Sequence, residues 1–322
     1  MDSLEPVSLE AVHAAAERLK PVAVRTPLIP LNVEDAPAEI YLKLENLQPI
    51  GAFKIRPAGN AILNAPQEII ADGVYTASSG NMAQGIAYTA RMLGIPASVL
   101  LPEDAASNKV QALQRLGAEI RYLPDSEWWQ VLTDHGHEDV QGHFIHPVAD
   151  ADVIAGDATV GLEIFEDLPS VETVVVPFGG GGLSTGIASA LKALGSNARV
   201  LGAESNHCEP LAAAFDAGSP VEIPVQPSFV SGLGVGRVLE EMWPLISTLI
   251  DSAVMATAEE IVDVIRLLYE RHHFIVEGAG ATPVAAALAG RAGPGKVVCV
   301  ISGGNLNTSY LIDILNGKMP QL

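Results

Sequence analysis

Short apolar runs alternate along this chain with helix-period stretches, and several of those runs end in glycine-rich turns. That alternation constrains the fold more than any other feature. The runs cover residues 40–44, 74–77, 97–101, 119–123, 173–178, 199–203, 253–256 and 297–302. Most lack a polar alternate face, which is how strands buried on both sides of a parallel sheet read. Between them, residues 8–20, 81–93, 107–116, 257–271 and 281–291 are amphipathic or alanine-rich. Ser8 with Glu10, and Thr257 with Glu259 and Glu260, place hydroxyls and carboxylates where helix N-termini want them. The pattern predicts an α/β chain of βαβ units, with open twisted sheets flanked by helices.

At 322 residues the chain has room for two domains. Hydrophobic residues make up 48% and charged residues 17%, against about 25% charged in an average globular protein, so disorder is excluded as the main state. The formal net charge is −20 with no cluster of Lys and Arg, which argues against nucleic acid and anionic membrane surfaces as partners. No apolar run approaches the ~18 residues of a membrane span. The acidic start Met1-Asp2-Ser3-Leu4-Glu5 lacks the order of a signal peptide. Cys208 and Cys299 cannot build a disulfide framework, so a reducing, cytoplasmic setting is expected. The stretch 123–150 carries Trp128, Trp129, His135, His137, His143 and His146 with few periodic apolar positions. It marks where the chain passes between lobes. Its histidines lack regular ligand spacing and read as a solvated loop rather than a metal set.

Four segments could carry chemistry. Gly179-Gly180-Gly181-Gly182-Leu183 follows a predicted strand and opens a helix, so its free amides and the helix dipole suit a phosphate. It lacks the lysine of a nucleotide-binding Walker loop. Ser78-Ser79-Gly80-Asn81, at another strand end, suits a carboxylate, although alone it is also a good helix cap. Lys54, in Gly51-Ala52-Phe53-Lys54-Ile55-Arg56, becomes a nucleophilic amine if it is desolvated near Lys43 and Arg56; otherwise it is a surface lysine. Ser302-Gly303-Gly304-Asn305 ends the last apolar run and lines a crevice if that run is a strand of an open sheet.

Together these segments resemble the fold type II pyridoxal-phosphate enzymes, in particular the serine/threonine dehydratase and serine racemase group. Leu42-Lys43-Leu44-Glu45-Asn46-Leu47-Gln48-Pro49, Ala83-Gln84-Gly85, Phe144-Ile145-His146-Pro147 and Val153-Ile154-Ala155-Gly156 extend the likeness over residues 22–315. The resemblance implies a tryptophan synthase β-like fold. A large discontinuous domain (1–72 and 147–322) would hold the cofactor, and a smaller inserted domain (73–146) would carry the substrate-carboxylate loop. It implies that Lys54 binds pyridoxal phosphate covalently and Phe53 packs under its ring. Gly179, Gly180, Gly181, Gly182 and Leu183 would hold the phosphate, Asn81 the ring hydroxyl and Ser302 the pyridine nitrogen. Ser78, Ser79, Gly80 and Asn81 would grip the substrate. The implied reaction is β-elimination from a 3-hydroxy-L-amino acid (threonine, serine, 3-hydroxyaspartate or a phenylserine) to a 2-oxo acid and ammonia, in a homodimer. Glu204 matches a cation ligand of some relatives, with Glu209 or Pro210 where a second acidic ligand would fall, so a divalent or monovalent cation site stays open.

The sequence departs from the family pattern at Ala52, where Ser is common, and at Pro57, which the first helical turn tolerates. Met82 stands where His is frequent, which is expected to make the substrate side more apolar, and Gly278-Ala279-Gly280 replaces the Pro-Ser of some relatives. No regulatory domain is expected after Leu322. The rival readings are a serine racemase, with Ser79 as the acid/base on the opposite face, a β-replacement enzyme, and an NAD-dependent dehydrogenase suggested by the α/β pattern alone.

Overall fold

Ten strands form two separate sheets in the computed structural model, which describes residues 4–103 and 107–321. They are β1 (Leu28–Pro30), β2 (Glu39–Lys43), β3 (Val74–Ala77), β4 (Ala97–Pro102), β5 (Glu119–Leu123), β6 (His143–Phe144), β7 (Thr173–Pro177), β8 (Arg199–Ser205), β9 (Ser252–Ala256) and β10 (Lys296–Val300). The larger sheet has the order β1-β2-β10-β7-β8-β9, parallel except for β1 against β2. The smaller sheet, β5-β4-β3-β6, is parallel throughout.

The lack of polar alternation in the central strands follows from burial on both faces. On β10, Val297 and Cys299, followed by Ile301, enter one apolar core while Val298 and Val300 enter another across the sheet. The helix starts match their sequence signals. Ser8 Oγ accepts the Ala11 N–H, and Thr257 and Glu260 form a reciprocal capping box. Several elements escape the periodic pattern, two of them instructive. The helix Asp125–Asp134 lies in the stretch read as a passage between lobes, and β1 is a three-residue edge strand ending in proline.

Glycines set the helix packing that positions the site. A Cβ on Gly85 would fall 2.6 Å from the Lys54 carbonyl oxygen, and one on Gly156 would fall 2.6 Å from that of Arg56. The helices Asn81–Leu93 and Ala151–Asp167 can therefore lie directly on the helix Ile55–Asn64. Pro57 stands in the first turn of that helix, where its missing N–H costs nothing.

Candidate active site

Three of the four chemistry-bearing segments leave strands at their carboxyl ends, which in open α/β sheets is where a ligand crevice forms. The glycine loop follows β7, Ser302 follows β10 beside it, and Ser78 follows β3 of the smaller sheet. Lys54 enters from the turn after β2. The Phe53 N–H donates to the Ser302 carbonyl (2.9 Å) and the Gly304 N–H to that of Gly51 (2.8 Å), so the Lys54 turn is tied to the exit of β10.

Lys54 caps the helix Ile55–Asn64, and its Nζ donates to the Pro147 carbonyl at 2.7 Å and lies 5.1 Å from the centre of the Phe53 ring. Burial lowers its pKa, opposed by the charge of Asp157. The expected role of neighbouring cations is corrected here. Lys43 and Arg56 are engaged by carboxylates and do not act on this amine: Arg56 bonds Glu45 at 2.8 Å and Glu163 at 2.7 Å, and Lys43 bonds Glu163 at 2.5 Å. Desolvation alone depresses Lys54.

The glycine loop is a cradle that side chains would fill. A Cβ on Gly180 would lie 2.5 Å from Val148 Cγ2, one on Gly179 would lie 2.9 Å from the Gly232 carbonyl, and Gly181 has φ +93°. Leu183 and Gly182 begin the helix Gly182–Ala193, whose first amides are free of intrahelical partners. Ser302 is 2% exposed. Asn81 donates to Glu277 Oε1 (2.9 Å) and accepts from Asn305 (2.8 Å), which also donates to the Ile50 carbonyl (2.9 Å). Ser78, Ser79 and Gly80 are half-buried, and a Cβ on Gly80 would meet nothing within 4 Å, so this loop borders open space.

Asp157 escaped sequence reasoning. It is wholly buried, neither carboxylate oxygen has a partner, and Oδ2 lies 3.1 Å from where a Gly182 Cβ would sit. Burial pushes its carboxyl up to about 7, with Lys54 acting in the opposite direction. Inside an Ala-Gly-rich helix it reads as one more solvent-facing acid. Its burial depends on glycine-permitted helix contacts that no local pattern encodes.

Two further expectations change. His146 is only 2% exposed, so it does not belong to a solvated loop. It stacks on His135, which bonds Glu241 at 2.9 Å. Among the described residues, His135, His146 and Glu241 are the one group of three close enough to share an ion. His146 Nδ1 accepts the N–H groups of Val148 (3.1 Å) and Ala149 (2.6 Å). Its proton therefore sits on Nε2, which leaves no lone pair there for a metal. Met82 is 2% exposed and packs with Ala58, Ile62, Ile86 and Ile145, so it fills core space instead of making the substrate side apolar. Glu204 accepts the N–H groups of Leu211 (2.6 Å) and Ala212 (3.0 Å), capping the helix Pro210–Ala217.

The residues present fit pyridoxal phosphate: a desolvated amine, a side-chain-free phosphate cradle at a helix N-terminus, and a hydroxyl at the neighbouring strand end. Residues 19–303 match the family of pyridoxal-phosphate-dependent enzymes, and the chain belongs to that family. Within it, the chain is 39% identical to the L-threonine ammonia-lyase of Geobacter sulfurreducens, over 93% of this chain and 76% of that protein. Among solved structures it superposes on maize serine racemase with a TM-score of 0.89 at 31% identity (97% of this chain, 98% of that one). It superposes on the T.th. threonine deaminase with a TM-score of 0.86 at 32% identity (94% and 100%). The family match sets the dehydrogenase reading aside.

Proposed function

We propose that this chain is a pyridoxal-phosphate-dependent ammonia-lyase that converts a 3-hydroxy-L-amino acid of the threonine and serine class into a 2-oxo acid and ammonia. The observation that carries the site assignment is the half-buried, partly desolvated Lys54 amine, set where the exits of β2, β7 and β10 converge. The lyase relatives set the reaction class. Gly179, Gly180, Gly181, Gly182 and Leu183 hold the cofactor phosphate through their amides, and Phe53 lies under the ring. Asn81, fixed by Glu277 and Asn305, meets the ring hydroxyl. Ser302 meets the pyridine nitrogen. Its hydroxyl cannot carry the negative charge that an aspartate would set against a protonated ring, and this favours expulsion of the leaving group over transamination.

When bound, pyridoxal phosphate supplies a conjugated system that takes up the electron pair left as the Cα–H bond breaks. Lys54 Nζ would hold the cofactor and, once free, would be the base that takes the Cα proton, a role its lowered pKa suits. Ser78, Ser79 and the Gly80 amide hold the substrate carboxylate, on a smaller lobe (73–146) built around the four-stranded sheet. The Cβ hydroxyl leaves as water, and water re-enters when the nitrogen departs as ammonia. The active form is a cytoplasmic homodimer. The likeness to maize serine racemase favours one second reading, in which Ser79 returns a proton from the opposite face and D-serine appears.

Borohydride reduction of the yellow holoenzyme should fix the cofactor on the peptide containing Lys54. Lys54→Ala should lose the colour and lower oxo-acid release on the order of 10³-fold or more. Labelling of a different lysine would overturn the assignment. Assays of L-threonine, L-serine, 3-hydroxyaspartate and phenylserine side by side rank the substrates, and a chiral assay for D-serine decides against racemisation or for it.

A further inference from the structure

Asp157 has no part in the reaction described above, yet it lies buried and unpartnered beside the start of the glycine-loop helix. It projects from the helix Ala151–Asp167 against the first turn of the glycine-loop helix. A Cβ on Gly186 would lie 2.8 Å from the Asp157 Cβ, and one on Gly182 would lie 3.1 Å from Oδ2, so both glycines leave room for this side chain. Neither oxygen has a hydrogen-bond partner, and the residue is 0% exposed. Native proteins rarely leave a buried carboxyl unsatisfied without a reason.

The ionisable groups around it are few. From the helix Ile55–Asn64 and its cap come Lys54, which attracts it, and Arg56, already held by Glu45 and Glu163. Glu45, after β2, opposes its ionisation. Its own helix adds Glu163, which is tied to Lys43 and Arg56. The facing turn of the helix Gly182–Ala193 adds no titratable side chain. Among these groups Lys54 is thus the one cation not already committed to a carboxylate.

Loading the cofactor changes this balance in two ways. It engages the Lys54 amine, and it brings a phosphate monoester of about −1.5 to −2 charge to the amides around Gly182. Two anions in one desolvated pocket cannot both stay ionised cheaply. We propose that Asp157 is a second ionisable group of the cofactor pocket, neutral in the loaded enzyme, so that cofactor binding is coupled to uptake of one proton. The proton comes from solvent onto a carboxylate oxygen, and the new O–H becomes a donor within reach of the phosphate. Asp157 acts as a positioning residue and touches no reacting bond. The inference rests on the placement of the cofactor at Lys54 and the glycine loop proposed above.

Burial already holds the Asp157 carboxyl near neutrality, at about 7, in the free protein. Below that pH the group is protonated beforehand and loading takes up nothing. Above it, each pH unit lowers the affinity by up to about tenfold. An amide at this position removes the dependence.

The test measures the dissociation constant of 4′-deoxypyridoxine 5′-phosphate, which has the ring and phosphate but no aldehyde for Lys54, on apo-enzyme from pH 6 to 9. Wild type and Asp157→Asn are compared. The wild-type constant should rise relative to the variant's by about tenfold per unit above pH 7, reaching 10- to 100-fold at pH 9. Calorimetry at pH 8.5 in buffers of different ionisation enthalpy should show about one more proton taken up by wild type. A ratio that stays flat, with equal proton uptake, overturns the proposal. So does a folded variant that binds at no pH, because the anion itself would then be required. If the variant does not fold, wild-type calorimetry alone decides: about one proton absorbed at pH 8.5 supports the coupling and none overturns it. Borohydride label on a lysine other than Lys54 overturns the cofactor placement as well, whereas label on Lys54 with a flat ratio overturns the coupling alone.

Discussion

Lys54 and Arg56 stand two residues apart, both basic, the first half-buried and the second fully buried, yet their surroundings differ in kind. Arg56 lies in a closed cluster: Glu45 and Glu163 each accept from its guanidinium, Lys43 shares Glu163, and Thr26 donates to Glu45 at 2.6 Å. Lys54 has a backbone carbonyl and, across the pocket, a carboxyl with no partner of its own. The first arrangement satisfies its charges and anchors three pieces of backbone: the exit of β2, the helix Ile55–Asn64 and the helix Ala151–Asp167. The second leaves its donors and acceptors open for something that is not protein. A helix start can hold a reactive, unpaired amine because a saturated network that begins two residues further on keeps it in place.

The contrast breaks most sharply at Arg56. Arg56→Met strands two buried carboxylates against one lysine, and the expected loss is about 3–5 kcal/mol, read from urea unfolding midpoints. A loss under about 1 kcal/mol would mean that the cluster does not anchor this helix.

The opposite sign is expected at Asp157. Its folded-state pKa lies above the unfolded value, so the folded chain binds this proton more tightly. Its contribution to stability is present at low pH, is lost as pH rises from about 4 through 7, and leaves the wild type at a disadvantage above that range. Asp157→Asn should therefore stabilise the apo-protein by about 3–4 kcal/mol at pH 8 and by no more than about 1 kcal/mol at pH 4.5. Equal midpoints at pH 8 would place Asp157 among the satisfied charges.

The smallest effect concerns the space itself. Gly180→Ala forces a methyl against Val148 at a cost of about 1–3 kcal/mol, expected as a 5- to 150-fold weaker cofactor affinity. Adding Val148→Ala should return most of that affinity. Failure of the second change to rescue would locate the phosphate contact elsewhere.

The satisfied half of the molecule was the more legible in sequence. Valine-rich runs such as 173–178 and 297–302 announce strands buried on both faces because composition alone carries that signal. The glycine loop and the Ser78 and Ser302 turns were visible because strand-end glycines next to hydroxyls are unusual locally. Asp157 was not visible, since its burial is decided by helices meeting across glycines far apart in the chain, and neither was His146, which is covered by the rings of His135 and Phe144. The helix Asp125–Asp134 was missed because its buried face amounts to little more than Val131 and Leu132. Lys54 was legible as a candidate but for a partly wrong reason: neighbouring cations in sequence turned out to be neutralised in space.

The position of β10 carries a last consequence. It is the final strand in chain order, yet it fills the gap between β2 and β7 in the middle of the larger sheet. Until residues near 300 have left the ribosome, the growing polypeptide holds two unjoined half-sheets with bare inner edges. Neither half has a floor for the cofactor. The last-made strand is thus the keystone, and the nascent chain must stay clear of edge-to-edge pairing for most of its synthesis.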